Sequence, residues 1–211
     1  MTVPNLEAQF NQWAPNYDSD VRHEAGFPFA GYERVLNRVI SLARIGPGME
    51  VLELGPGTGN LTRKLVDSSA TVWALDFSGE MLAIAQKKVP EAHFGQVDLQ
   101  AEYPSQFRRK FYRVVSTYTL HEFPLAGKIA ILRRLVDSFL MPGGAIVIGD
   151  IGFSNVAALG AVKVASGEAW DDEYYWIQDE VEIALRDNGM AMTWEQLSIC
   201  SAVIEITRMT R

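Results

Sequence analysis

Short apolar runs alternate with segments of helical periodicity through the middle of the chain. Each run is bounded by glycine or polar residues and has the length of a buried strand. The predicted strands are 50–54, 71–75, 92–97, 112–117 and 145–149, and the predicted helices between them are 60–67, 79–88 and 127–139. This alternation predicts a Rossmann-like α/β fold whose mostly parallel sheet has helices on both faces.

The last two apolar runs, 190–198 and 201–207, depart from this alternation. They lie too close together for a helix between them, so they predict a C-terminal antiparallel hairpin that completes a seven-stranded sheet. Before the first strand, 32–42 carries apolar residues on one helical face. Together these elements predict a single domain over 1–211.

Charge and cysteine content narrow the class of protein. The formal net charge is −7, and the basic residues cluster only at 108–110, which disfavours nucleic acid as a partner. The single cysteine, Cys200, cannot form an internal disulfide, so we expect a reducing, cytoplasmic location. No signal-peptide pattern and no apolar stretch of about 20 residues is present, so no membrane partner is expected.

The first predicted strand runs directly into a glycine-rich turn formed by Gly55, Gly57 and Gly59. Dinucleotide-binding loops follow G-x-G-x-x-G, whereas here the third glycine comes one residue early and Asn60 takes the last position. The carboxylate of Glu53, just before the loop, would repel a pyrophosphate but attract an ammonium group, directly or through water. The pattern therefore favours a ligand that contains an amino acid over a dinucleotide.

Acidic residues also follow the next two predicted strands. Asp76 could accept hydrogen bonds from both hydroxyls of a ribose, or it could only cap the following helix, a role that Ser78 fills equally well. Asp98 could bind a ligand or be an ordinary loop residue. Because the carboxyl ends of parallel strands line one crevice, we expect both acids beside the glycine loop.

These motifs resemble those of the class I S-adenosylmethionine-dependent methyltransferases of the small-molecule type, along nearly the whole chain. The resemblance implies S-adenosylmethionine as the cofactor. In that family the acid at the position of Asp76 holds the adenosine ribose, and the acid at the position of Asp98 binds the adenine. The fourth strand passes beside the methionine part of the cofactor. The cofactor-binding residues that the resemblance implies are Tyr17, Glu53, Gly55, Gly57, Asp76, Phe77, Met81, Asp98, Leu99 and Tyr118.

The N-terminal segment 10–18 resembles a lid that folds over the cofactor in the same family. Tyr17 matches the tyrosine of that segment, while Asn11 stands where the family usually has aspartate. Phe10, Trp13 and Tyr17 recur at helical spacing, so they could equally form a packed face without contact to a ligand.

His121 follows the fourth predicted strand and is the candidate catalytic residue. An imidazole there could take a proton from the methyl acceptor, or it could only order the loop. Many small-molecule members of the family need no base, because attack on a sulfonium depends chiefly on alignment. His23 and His93 lie elsewhere, and we expect no catalytic part for them.

The segment after the fifth strand mixes aromatic and acidic residues. By resemblance this segment covers the substrate, and its composition favours a compact molecule, cationic or amine-bearing. The alternative is an acidic surface helix whose aromatic side chains are buried against the sheet. The aromatic residues concerned are Trp170, Tyr174, Tyr175 and Trp176.

The expected parts of the domain are a helical lid (1–44), a cofactor-binding core (45–152), a substrate-covering segment (153–189) and the terminal hairpin (190–211). A Pro-Gly-Gly turn at 142–144 is expected to reverse the chain before the fifth strand. No spacing typical of metal ligands occurs, so no metal site is predicted. A non-catalytic protein that binds the same cofactor, and less so an NAD-dependent oxidoreductase, remain as alternatives.

Overall fold

The computed structural model describes residues 6–22 and 26–209. The strands are β1 (Glu50–Leu54), β2 (Thr71–Asp76), β3 (His93–Gln96), β4 (Phe111–Thr117), β5 (Leu140–Phe153), β6 (Trp176–Ile177), β7 (Met190–Gln196) and β8 (Ser201–Arg208). The α-helices are α1 (Leu6–Asp20), α2 (Tyr32–Ala43), α3 (Asn60–Asp67), α4 (Gly79–Lys88), α5 (Leu125–Arg134), α6 (Val156–Ser166) and α7 (Gln178–Asp187).

The main sheet of the described chain has the order β3-β2-β1-β4-β5-β8-β7. The first five of these strands are parallel, while β8 pairs antiparallel with both β5 and β7. The two-residue strand β6 pairs with the end of β5 outside this path. The predicted Rossmann-like α/β fold with a C-terminal antiparallel hairpin is confirmed.

Hydrophobic side chains cover both faces of the sheet. In β1, Leu52 and Leu54 belong to the apolar cluster packed under α5 and α7, whereas Val51 belongs to the opposite cluster under α2 and α3. Successive side chains of a strand point to opposite faces, so Glu53 shares the face of Val51 and lies under α3. None of the helices in the described ranges is long and apolar enough to cross a membrane.

The segment 127–153 departs most from the sequence-based expectation. The predicted helix 127–139 is α5 followed by a π-helical turn, Leu135–Phe139. The expected turn at 142–144 is part of β5 instead, because Phe111 pairs with Leu140 and Arg113 with Ala145, which leaves the intervening residues as a bulge. Gly143 supplies the positive φ of 73° that this bulge needs.

Candidate active site

A crevice opens at the carboxyl ends of β1, β2, β4 and β5, where the strand order reverses on either side of β1. Open parallel sheets bind ligands at this switch point. A larger cavity of about 630 Å³ and a smaller one of about 370 Å³ lie there, and Leu6 and Glu122 line both. The two cavities are therefore neighbours.

The glycines of the loop after β1 have different structural roles. Gly55 has a φ of 66°, and a Cβ added to it would lie 2.1 Å from Thr119 Oγ1. Gly57 has a φ of 53°, but a Cβ added there would meet no atom within 4 Å. Gly55 therefore permits close packing against the segment after β4, and Gly57 leaves its own backbone open to a ligand.

Asp76 binds the glycine loop. Its Oδ2 accepts a hydrogen bond from Gly57 N at 3.0 Å and its Oδ1 from Ser78 N at 2.9 Å. Burial raises the pKa of Asp76, while these backbone N–H groups oppose the rise. The cap of α4 is Ser78, whose Oγ accepts from Met81 N at 3.1 Å, so Asp76 keeps lone pairs for a ligand.

Glu53 lies beneath the loop and not at the mouth of the crevice. Its side chain is only 1% exposed, and Thr62 Oγ1 of α3 donates a hydrogen bond to its Oε2 at 2.7 Å. Burial raises the pKa of Glu53 to about 8. The carboxyl group is therefore not exposed at the mouth of the crevice, where the sequence placed it.

The smaller cavity receives the residues that follow β2 and β3. Phe77, Asp98 and Leu99 line it together with Val97 and Phe123. The Asp98 side chain is exposed, and its Oδ1 accepts from Gln100 N at 2.8 Å. This cavity thus pairs apolar walls with an acid that has free acceptor capacity.

Two residues near these cavities change the set of cofactor-binding residues expected from the sequence. Met81 is 1% exposed and lies outside the lining of both cavities. Arg134 of α5, which the sequence did not single out, donates to the carbonyl oxygens of Leu99, Gln100 and Ala101. It therefore fixes the loop that carries Asp98, and no local pattern in the sequence indicates this contact.

Helix α1 covers the crevice and is bound to it by Asp18. Asp18 Oδ1 accepts from Thr58 Oγ1 of the glycine loop at 2.5 Å, and Asp18 Oδ2 lies 2.7 Å from Lys88 Nζ. At the other end of the contact, Asn11 Oδ1 accepts from Ser78 Oγ at 2.7 Å. The amide thus bonds the start of α4, although no carboxylate is present there to form a salt bridge.

The aromatic residues of α1 have both of the roles considered for them. Phe10, Trp13 and Tyr17 line the larger cavity. They also pack on one another, and Phe10 contacts Phe77 edge to face with ring centroids 5.2 Å apart.

Tyr118, at the end of β4, lies on the wall of the larger cavity. Its φ of 49° is unusual for a residue with a side chain. The ring packs against Tyr32 at 5.1 Å between centroids, and its hydroxyl lies 3.3 Å from Ser201 Oγ. The side chain is 7% exposed, so it contributes a rigid wall.

His121 lies on the 3₁₀ turn Leu120–Glu122 and is fixed by Asp150 at the end of the same crevice. The Nδ1 atom of His121 is 2.6 Å from Asp150 Oδ1, and Asp150 Oδ2 accepts from His121 N at 3.1 Å and from Trp176 Nε1 at 2.9 Å. Burial lowers the pKa of His121, but the Asp150 carboxylate outweighs it and raises the pKa to about 9. Burial also opposes ionisation of Asp150, yet His121 holds the pKa of that carboxyl below its usual value.

The segment before β6 brings a further acid to this histidine. Tyr174 N donates to His121 O at 3.0 Å, and the Lys128 ammonium donates to Tyr174 O. As a result Glu173 Oε2 lies 3.6 Å from His121 Nε2, and Glu122 Oε1 lies 3.7 Å from the same atom.

The aromatic residues of the same segment are mainly packed inward. This agrees with the alternative in which they are buried against the sheet. Tyr175 and Trp176 are buried, Trp170 stacks on Phe27 at 4.8 Å between centroids, and only Tyr174 is exposed. The acids Asp171 and Glu173 are the residues of this segment that line the larger cavity, together with Ala169.

His93 stacks on Trp73 at 4.1 Å between ring centroids, on β3. His23 lies outside the described residues.

An open α/β sheet with a glycine loop, strand-end acids and two adjoining cavities defines a protein that binds a nucleoside-containing cofactor beside a second ligand. Residues 51–144 match the family model described as methyltransferase domain. The chain is 31% identical to an uncharacterized methyltransferase of Anoxybacillus flavithermus, over 90% of this chain and 91% of that protein. It is 32% identical to an uncharacterized methyltransferase of Bacillus cereus, over 94% and 96% respectively.

Among solved structures, the DhpI–SAH complex has the same fold, with a TM-score of 0.72 at 21% identity over 97% of this chain and 96% of that one. The chain belongs to the class I S-adenosylmethionine-dependent methyltransferases. Its cofactor is S-adenosylmethionine.

The residues present fit this cofactor. The open backbone at Gly57 is bonded to the buried Asp76, and Phe77, the residue after Asp76, lines the apolar smaller cavity. That order matches the amino acid, ribose and base of an adenosyl compound.

Proposed function

We propose that this methyltransferase acts on a compact small molecule that binds in the larger cavity. The observation that carries the proposal is the cavity of about 630 Å³ directly beside the cofactor crevice, a volume in the range of small-molecule sites. Phe10 and Trp13 of α1 cover it from one side, and Asp171 and Glu173 of the segment 153–189 from the other. This arrangement supports a lid at 1–44 and a substrate-covering role for 153–189.

The cofactor-binding roles follow the placement of the residues. The backbone at Gly55 and Gly57 holds the amino acid end, with Glu53 beneath it. Asp76 binds the ribose hydroxyls, since its oxygens face the loop and are already oriented by backbone N–H groups.

The adenine end and the methionine end have separate walls. Asp98 and the backbone of Leu99 read the base, Phe77 packs on it, and Tyr17 and Tyr118 border the sulfonium. Met81, which is buried behind α4, supports the pocket without lining it.

S-adenosylmethionine supplies an electrophilic methyl group, so the chief task of the chain is to align the acceptor with it. His121 is the proposed catalytic residue, because its Nε2 faces the cavity while Asp150 fixes the ring. Because its pKa is raised to about 9, the ring can take the acceptor's proton only as the pH approaches or exceeds that value.

Charge and cysteine content support two further parts of the proposal. A formal net charge of −7 and acids at the cavity favour a small molecule over nucleic acid as the acceptor. The one cysteine, Cys200, is free and buried, which supports a cytoplasmic location.

A transfer assay tests the function. Radiolabelled methyl transfer from S-adenosylmethionine would be measured against a panel of small acceptors that bear hydroxyl, amine or carboxylate groups, with Asp76→Ala as the control. We expect product with at least one acceptor and its loss in the control. Binding of S-adenosylhomocysteine without product from any acceptor would favour a non-catalytic binding protein.

A further inference from the structure

Three side chains at the floor of the larger cavity place their donor atoms together. His121, Glu122 and Glu173 each offer one ligand atom, and these atoms all lie within 4.8 Å of one another. We propose that they bind a divalent transition-metal ion.

The histidine is oriented as metal-bound histidines are. It is 7% exposed, and its Nδ1 faces the buried carboxylate of Asp150 at 2.6 Å. A carboxylate on one ring nitrogen fixes the tautomer and directs the lone pair of the other nitrogen at the metal. Among the described residues, Nε2 has no hydrogen-bond partner, since the nearest carboxylate oxygens lie 3.6 and 3.7 Å away.

Three carboxyl groups surround the single imidazole of this site. The side chains of Glu122 and Glu173 are only 14% and 24% exposed, and Asp150 is buried behind them. The nearby ammonium of Lys128 lies over the Trp176 ring and donates to Tyr174 O, and it forms no ion pair of 4 Å or less with an acid of the described residues.

The donor set indicates the class of ion. One imidazole nitrogen and two carboxylate oxygens suit Zn²⁺, Mn²⁺ or Fe²⁺ better than Mg²⁺ or Ca²⁺, which prefer oxygen ligands alone. Three protein ligands would leave coordination positions open on the ion, and all three residues line the larger cavity from which a substrate could reach it. This geometry is typical of a reactive metal site rather than a structural one.

The consequence for the substrate rests on the proposed function. An acceptor hydroxyl on an open position of the ion would lose its proton more readily, because a bound cation lowers the pKa of its oxygen ligand. In the transfer the oxygen–methyl bond forms, the carbon–sulfur bond breaks with its electron pair left on sulfur, and the hydroxyl proton passes to solvent. His121 would then act through the ion instead of taking the proton itself.

The sequence-based expectation of no metal site relied on short ligand spacings. Here two ligands follow β4 and the third precedes β6, so only the fold brings them together.

Calorimetric titration of the untagged, EDTA-treated full chain with Zn²⁺ and with Mn²⁺ tests the site. We expect one ion per chain with a dissociation constant in the micromolar range or below, and at least tenfold weaker binding in Glu173→Gln. Asp172→Asn is the matched control, since Asp172 lies next to Glu173 but pairs with Lys163 at 2.6 Å. Asp150→Asn should weaken binding about 10-fold or more, because the carboxylate that fixes the His121 ring is then lost.

The outcomes of this experiment distinguish failure of the metal site from failure of the proposed methyltransferase function. Absence of binding for both ions, or equal loss in Asp172→Asn and Glu173→Gln, would overturn the metal site. Titration of the same samples with S-adenosylhomocysteine, together with their circular dichroism melting curves, shows whether each variant is folded. If the wild type binds S-adenosylhomocysteine but no metal ion, the metal site alone is refuted. If the wild type does not bind S-adenosylhomocysteine, the proposed function is refuted.

Discussion

At the scale of single residues, glycine has two different roles in the loop after β1: it permits close packing at one position and leaves the backbone open at another. Both Gly55 and Gly57 have a positive φ, but only Gly55 lies against a neighbouring side chain, that of Thr119. Thr119 has little freedom to move, since its Oγ1 donates to Thr117 O at 2.9 Å. The glycine motif therefore reports both on packing and on space for the ligand.

Alanine substitutions separate these two roles. Gly57→Ala should cost about 1 kcal/mol of unfolding free energy, the strain of a left-handed backbone with a Cβ. Gly55→Ala should cost about 1–3 kcal/mol more, because its Cβ also clashes with Thr119. Urea unfolding without cofactor measures both; equal losses would contradict the packing role of Gly55.

Glu53 gives a prediction about pH. Its pKa rises from 4.5 to about 8 on burial, so folding favours the protonated form. The stabilisation is fully present below pH 4.5 and is lost as pH rises through the folded value. The unfolding free energy of the wild type should therefore fall relative to Glu53→Gln between pH 5 and pH 8, as urea titrations at each pH would show. A constant difference across this range would argue that Glu53 is ionised in the folded protein.

At the scale of elements, α1 is attached to the crevice by polar contacts at both ends of its covering face. Asp18 joins it to the glycine loop and to α4, and Asn11 joins it to the start of α4. The apolar contacts of Phe10, Trp13 and Tyr17 then close the larger cavity. A helix held by a few side-chain contacts is suited to act as a lid.

Acid should weaken this attachment. Burial opposes ionisation of Asp18, but the hydrogen bonds from Lys88 and Thr58 hold its pKa below the ordinary value of 3.8. A depressed carboxyl pKa stabilises the fold above the unfolded value, and the effect is lost as pH falls through the folded value. The stability difference between the wild type and Asp18→Asn in urea should therefore be present at pH 6 and shrink below pH 3.8. An unchanged difference at low pH would exclude the Asp18 carboxylate as the anchor.

At the scale of the whole molecule, the sequence predicts what local patterns encode. The order of strands and helices, the glycine loop and the acid after β2 are readable because each lies within a few neighbouring residues. The full length of β5 could not be predicted from the sequence, because its bulge at 142–144 depends on how β4 pairs with it.

The residues around the larger cavity were harder to predict from the sequence, because their partners are distant in the chain. Asp150 is 29 residues from His121 in the chain, and Arg134 is 35 residues from Leu99. An acid at the end of the fifth strand was the available signal for Asp150, parallel to Asp76 at the end of β2. For Glu173, the pairing of β6 with β5 decides its place, and a strand of two residues leaves no pattern in the sequence.

The central claim is that the crevice beside Gly57 and Asp76 binds an adenosyl amino acid. Thermal unfolding in the presence of S-adenosylhomocysteine or of NAD tests it most directly, since a ligand that binds only the folded state raises its stability by about 2.7 kcal/mol at 100 times its dissociation constant. We expect a higher melting temperature with S-adenosylhomocysteine, no change with NAD, and loss of the shift in Asp76→Ala. Stabilisation by NAD and not by S-adenosylhomocysteine would contradict it.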